Sequence, residues 1–247
     1  MIMNFDGKVA VVTGASVGIG YGCALKFAEC GADLVLVDIN YEKLEEVKAE
    51  LAKYGRDILI YKCDVSDEAR VKEVMDDALA HFGKIDILVN NAAIWRNWSK
   101  FEETPIDLWK KMIDINVMSV VYFTNAILPG MKERKYGRII NVCSVAGVYG
   151  NANMACYSST KAAVVAMTKA LAKEVAHLGV TANAVSPGSV SPAENPDPTF
   201  TKPSDLAFMG RTGSDMENAN VICFIASDEA SYVSCQNIQV DGCRKKQ

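Results

Sequence analysis

Tyr157 and Lys161 stand four residues apart in a stretch with helical patterning, a spacing that sets two side chains on one face. A phenol ionises near pKa 10 and is a poor base at neutral pH. An ammonium held beside it favours the phenolate, so the pair suits acid–base work at an alcohol or carbonyl oxygen. A second set lies near the N-terminus, where an apolar run passes into Thr13-Gly14-Ala15-Ser16-Val17-Gly18-Ile19-Gly20. Glycines here permit a tight turn and close backbone approach to a pyrophosphate, and the helix that follows offers unpaired N–H groups. Asp38 closes the next apolar run, 18 residues beyond Gly20. A carboxylate there can accept hydrogen bonds from an adenosine ribose and repels a 2′-phosphate. Ala15, Ser16 and Val17 bring no Lys or Arg to neutralise such a phosphate, so the loop predicts NAD(H) in preference to NADP(H).

Short apolar runs must position these groups. They fall at 9–12, 33–37, 58–61, 85–89, 138–142, 180–185 and 237–240, mostly apolar on both alternating faces, as in strands covered on both sides. Amphipathic stretches lie between them: 19–29 before Gly31, 41–53, one opening at Ser66 with Gly83 past its end, and 157–177 before Gly179. The alternation predicts an α/β chain: one Rossmann-type, doubly wound parallel β-sheet with helices on both faces, a single domain over 1–247. Four of the seven prolines (Pro192, Pro196, Pro198, Pro203) crowd 191–203, which marks 191–209 as an irregular substrate loop with limited travel.

Composition narrows the function classes. With 26 Lys+Arg against 30 Asp+Glu the net charge is −4, and no basic cluster suits a nucleic-acid partner. No run approaches the roughly 18 apolar residues of a membrane span. The first residues, Met1 to Lys8, carry no export pattern, so a cytoplasmic location without a membrane partner is expected. The eight cysteines include no Cys-x-x-Cys pair, which predicts free, mostly buried thiols and no metal site.

The Tyr-x-x-x-Lys spacing alone arises readily by chance. Order gives it weight: the glycine loop, Asp64-Val65, Asn90-Asn91-Ala92-Ala93, Asn116, Ser144, then Tyr157-Ser158-Ser159-Thr160-Lys161. In this order the chain resembles the short-chain dehydrogenase/reductase family, from Gly7-Lys8-Val9 to Val240-Asp241-Gly242. The resemblance implies hydride transfer between NAD(H) and a secondary alcohol or ketone, with Asn116, Ser144, Tyr157 and Lys161 as the catalytic set. Tyr157 would exchange the proton, Ser144 orient the substrate oxygen, Lys161 also hold the nicotinamide ribose, and Asn116 position a relay water. Around the cofactor it implies Gly14, Ser16, Val17, Gly18, Ile19, Gly20, Asp38 and Ile39. Asp64 and Val65 would meet the adenine, Asn90 the adenosine-side ribose, Val190 the carboxamide, with Ala92, Pro187 and Gly188 alongside. It also implies a homotetramer, built partly through a small-residue face of the Tyr157 helix (Ala162, Val165, Ala166, Ala170). The chain departs from the family pattern at Ala93, Ser191, Cys235 and Cys243.

For the substrate, Trp95, Trp98, Val145, Tyr149 and Met154 suggest a broad apolar surface, with Phe200, Phe208 and Met209 added by the loop. A bulky alcohol such as a hydroxysteroid or bile acid is the leading expectation, with Arg96 facing any carboxylate on it. A sugar or polyol follows, then a 3-oxoacyl thioester, and an NAD-binding redox sensor is the non-enzymatic alternative.

Overall fold

The computed structural model describes residues 3–95, 98–191 and 196–245. Seven strands form one sheet: β1 (Val9–Thr13), β2 (Asp33–Asp38), β3 (Ile58–Lys62), β4 (Ile87–Asn90), β5 (Gly137–Val142), β6 (Val180–Pro187) and β7 (Asn237–Val240). Their order is β3-β2-β1-β4-β5-β6-β7, and every neighbouring pair is parallel. The runs of Val, Ile and Leu account for this, since a strand covered on both faces needs apolar side chains on both. All five residues of β1 and all eight of β6 are buried.

Helices cover both faces. Against one lie α1 (Gly18–Glu29), α2 (Tyr41–Leu51) and, later in the chain, α8 (Asp215–Ala226); Phe27, Leu44, Val47 and Ile222 anchor them in that core. Against the other lie α3 (Glu68–Phe82), the helical run of α4 (Ile106–Ile113) and α5 (Ser119–Arg134), and α7 (Ala155–Val175). There Val71, Met75, Phe123, Ile127 and Ala172 fill the core. A short α6 (Ala146–Tyr149) precedes α7. Local chemistry sets the helix starts. The Asn40 side chain accepts from Lys43 N–H at 3.1 Å, Asp67 accepts from Arg70 N–H at 3.1 Å, and Ser214 with Glu217 forms a reciprocal capping box.

The strands fall within a residue or two of the expected runs. The sequence reading assigned no element to 106–134 or 215–226, where the structure forms α4, α5 and α8. The run Ile106–Arg134 is long and apolar enough to cross a membrane by composition, contrary to expectation, yet Phe123, Ile127 and Met131 are packed in the sheet's core. All eight cysteines are free; Cys235 is half-buried, Cys243 exposed, and the other six buried. No metal-binding cluster exists among the described residues.

Candidate active site

The chain winds β1, β2, β3 to one side and then crosses back to β4, so the carboxyl ends of β1 and β4 part at a switch point. A cleft of about 1170 Å³ opens there. Thr13 holds the two strand ends in register. Its hydroxyl accepts from Asn91 N–H at 2.9 Å and Ala92 N–H at 3.0 Å, while Asn91 Nδ2 donates to the Thr13 and Gly14 carbonyls. The reading from sequence quoted Asn91 without a role and gave none to Thr13, because the clamp joins residues 78 apart.

The glycine loop fits a dinucleotide's phosphates. Gly14 has φ +64°, and a Cβ there would lie 2.9 Å from Ala92 Cα; at Gly20 a Cβ would lie 2.0 Å from the Gly14 carbonyl oxygen. Only hydrogen in place of a side chain lets the helix start close against the turn. Asp38 leans across this loop: one carboxylate oxygen accepts from Ser16 N–H and the other from Asn40 N–H, each at 3.0 Å. Asp64 accepts from the Ser66 N–H and hydroxyl, which hold its carboxyl below the usual range.

Ser16, Val17, Ile19, Asp38, Ile39, Asp64, Val65, Ala92, Pro187, Gly188 and Val190 all line the cleft, as does Gly14. Gly18 and Gly20 shape the loop from behind and do not line it. Asn90 departs from expectation. Its amide is buried and donates to Asn141 Oδ1 at 2.9 Å, in a chain continued from Asn141 to Thr168, so Asn91 replaces it in the lining. The Ser191 hydroxyl is engaged with Thr212 Oγ1 at 2.9 Å.

At the other end of the cleft stand Ser144, Tyr157 and Lys161. Ser144 follows β5, its hydroxyl accepts from Ala146 N–H at 3.1 Å, and it lies close enough to the Tyr157 phenol to lower its pKa. Burial pushes Tyr157 up to about 12, and the Ser144 contact pulls it partly back. Lys161 is buried one helical turn on, and its ammonium donates to the Val142 carbonyl at 2.8 Å. Burial lowers its own pKa, and Nζ lies 5.9 Å from the Tyr157 ring centroid. Without the cofactor, the Val142 carbonyl holds the ammonium and burial dominates the phenol; the expected help to the phenolate is that of Lys161 together with an oxidised nicotinamide ring. Asn116 lies on the adjoining helical run. It sits in a π-turn, Asp114–Met118, fully buried outside the lining, with its amide grasping Ile94 N–H at 2.8 Å, Ile94 carbonyl at 2.9 Å and Thr160. Its side chain fixes the cleft wall at Ile94.

Trp95, Trp98, Val145 and Met154 line the catalytic end. Tyr149 does not; its hydroxyl meets Gln239 Oε1 at 2.6 Å outside the cleft. Phe200, Phe208 and Met209 are exposed outside the lining. Arg96 and Pro192 lie outside the described residues. The structure adds polar groups that the sequence reading missed: Asn151, Lys202, Ser204 and Arg244.

The family model described as short chain dehydrogenase matches residues 8–200. The chain belongs to the short-chain dehydrogenase family. Its members include a 3-oxoacyl-[acyl-carrier-protein] reductase FabG of Thermotoga maritima, 38% identical over 243 residues, covering 97% of this chain and 98% of that protein. Another is a 2-dehydro-3-deoxy-L-rhamnonate dehydrogenase (NAD(+)) of Sphingomonas sp., 35% identical over 247 residues, covering 98% and 96%. Among solved structures, an NAD+-bound xylitol dehydrogenase superposes with TM-score 0.89 at 32% identity, covering 96% of this chain and 99% of that one. This short-chain dehydrogenase is accordingly an oxidoreductase acting on CH–OH groups.

Proposed function

We propose that the protein interconverts a secondary alcohol and its ketone with NAD(H), using Tyr157 as the acid–base group. The observation that carries this reading is one cleft with Asp38 fastened across the glycine loop at one end and the Ser144–Tyr157 pair at the other. The cofactor's contribution is to accept or return the hydride of the reacting carbon. Ser16, Val17 and Ile19 hold the phosphates, Asp38 and Ile39 the adenosine ribose, Asp64 and Val65 the adenine, and Pro187, Gly188 and Val190 the nicotinamide. Ser144 orients the substrate oxygen, and Tyr157 gives it a proton in reduction or takes one in oxidation. Lys161 holds the nicotinamide ribose and keeps a positive charge behind the phenol.

The substrate is read as bearing polar groups, in place of the hydroxysteroid or bile acid expected from aromatic residues. Tyr149, Phe208 and Met209 lie outside the cleft, whereas Asn151, Ser204, Lys202 and Arg244 line it. Relatives named for a sugar acid and a sugar alcohol point the same way. A 3-oxoacyl thioester reductase is the second reading, favoured by the similarity to FabG. Cytoplasmic location and a homotetramer belong to the proposal as well. Ala162, Ala166 and Ala170 form an exposed small-residue face on α7, suited to close helix packing.

Direct binding tests the cofactor assignment. NADH is expected to bind more tightly than NADPH, and Asp38→Ala to shrink that preference at least about tenfold, because a like charge opposite a phosphate costs several kcal/mol. A preference in the variant unchanged from wild type would show that another group sets the selectivity.

A further inference from the structure

This inference rests on the dehydrogenase reading and adds the charge of its substrate. The chain beyond β7 returns to the cleft. Asp241 Oδ1 accepts from Cys243 N–H at 3.0 Å, and Gly242 and Cys243 both take left-handed backbone, φ +62° and +59°. This turn lays the tail along the loop as a short antiparallel ribbon. Phe208 N–H donates to the Cys243 carbonyl at 2.9 Å, Lys245 N–H donates to the Leu206 carbonyl at 3.0 Å, and Ala207 faces Arg244. Side chains alternate along such a ribbon. Cys243 is exposed and Lys245 reaches over the Phe208 ring, while Arg244 lines the cleft.

Within the cleft, the Arg244 side chain has one polar partner among the described residues, Asn151 Oδ1, at 3.3 Å from Nη2. A guanidinium carries five donors, so most of this lining residue's hydrogen-bonding capacity is not taken by protein groups among the described residues. Asn151 ties it to the catalytic end, since its N–H donates to Ser158 Oγ, next to Tyr157. Lys202 lines the same cleft, and its ammonium has no carboxylate within ion-pair distance among the described residues. The acidic lining residues lie elsewhere: Asp38 and Asp64 at the adenosine end, and Asp215 buried at the start of α8 beside α1.

We infer that the substrate is a hydroxy acid, or the corresponding oxo acid, whose carboxylate is held by Arg244 and Lys202 while its alcohol meets Ser144 and Tyr157. A planar guanidinium matches a carboxylate with paired charge-assisted hydrogen bonds, and a lysine adds a point charge. In oxidation the C–H hydride passes to NAD+, the O–H proton passes to the Tyr157 oxygen, and the C–O bond becomes C=O. The carboxylate is unchanged. Its contact persists from ground state to transition state, so its loss weakens binding more than turnover.

The test is NADH formation from NAD+ by the full chain with 3-hydroxybutyrate and gluconate, each paired with its neutral amide, and calorimetric titration of each acid into the NADH complex. At least one acid is expected to bind and to exceed its amide in kcat/KM by at least about tenfold, the scale of a hydrogen bond to a charged group. Arg244→Gln is expected to raise that acid's KM by about tenfold and erase most of the preference, with Lys202→Gln doing less and NADH affinity unchanged. Amides equal to their acids, an acid preference untouched by Arg244→Gln, or no acid binding to an intact NADH complex would overturn the inference. Failure of NADH itself to bind would strike the dehydrogenase reading instead.

Discussion

In the proposed reaction Tyr157 carries the proton, and its surroundings set the direction of its pH response. Burial lifts the phenol to about 12, so in the protein alone it is protonated throughout the neutral range. Reduction needs that proton, and it is present; oxidation needs the phenolate, whose fraction grows tenfold per pH unit below the pKa. The predicted outcome is a kcat/KM for alcohol oxidation that rises from pH 6 until the pKa in the cofactor complex is passed. Carbonyl reduction should not rise over the same interval. Parallel pH profiles check this, and an oxidation rate that falls with pH would contradict it. Asp38 works by position in a different way: its carboxylate already holds two backbone N–H groups, so it is fixed before any ribose arrives.

Among the elements, α8 shows best where the sequence could and could not be read. Its interior, Val221-Ile222-Cys223-Phe224-Ile225, is apolar all round and lacks an amphipathic stripe, because the helix packs on both α1 and the sheet. The usable signal was the capping pattern Ser214-x-x-Glu217, confirmed at 3.1 and 2.8 Å. Asp215, in the first turn, is buried beside Gly22 and Cys23 of α1, and burial raises its carboxyl to about 6. A raised pKa in the folded state means a contribution that is whole below the unfolded value and lost as pH rises through about 6. Ionised Asp215 is thus a cost above that pH, partly offset by the helix N-terminus. Asp215→Asn is predicted to stabilise the fold by about 1–2 kcal/mol at pH 8 and by little at pH 4. Denaturant melts at the two pH values decide, and equal effects at both would contradict it.

At the scale of the whole molecule, the central strands were legible because they are buried on both faces and so carry mostly apolar runs, while the edge strands β3 and β7 are only half-buried. The cofactor half of the cleft was legible for a related reason: its loop and Asp38 sit within one local unit of strand, turn, helix and strand. The substrate half was not. Arg244 reaches Asn151, 93 positions away, only because a left-handed turn folds the tail back along the loop, and no local pattern announces such a contact. Tyr149 failed in the opposite sense, since its place after β5 pointed to the cleft while its hydroxyl found Gln239.

The central claim is that this cleft performs hydride transfer with Tyr157 as the proton carrier. The most direct measurement is turnover at 340 nm by the wild type and Tyr157→Phe, with NADH affinity measured on both. The account predicts a fall in kcat of at least about a thousandfold with NADH affinity nearly unchanged, since the ring stays and only the proton carrier goes. Turnover by the variant within a few fold of wild type would contradict it.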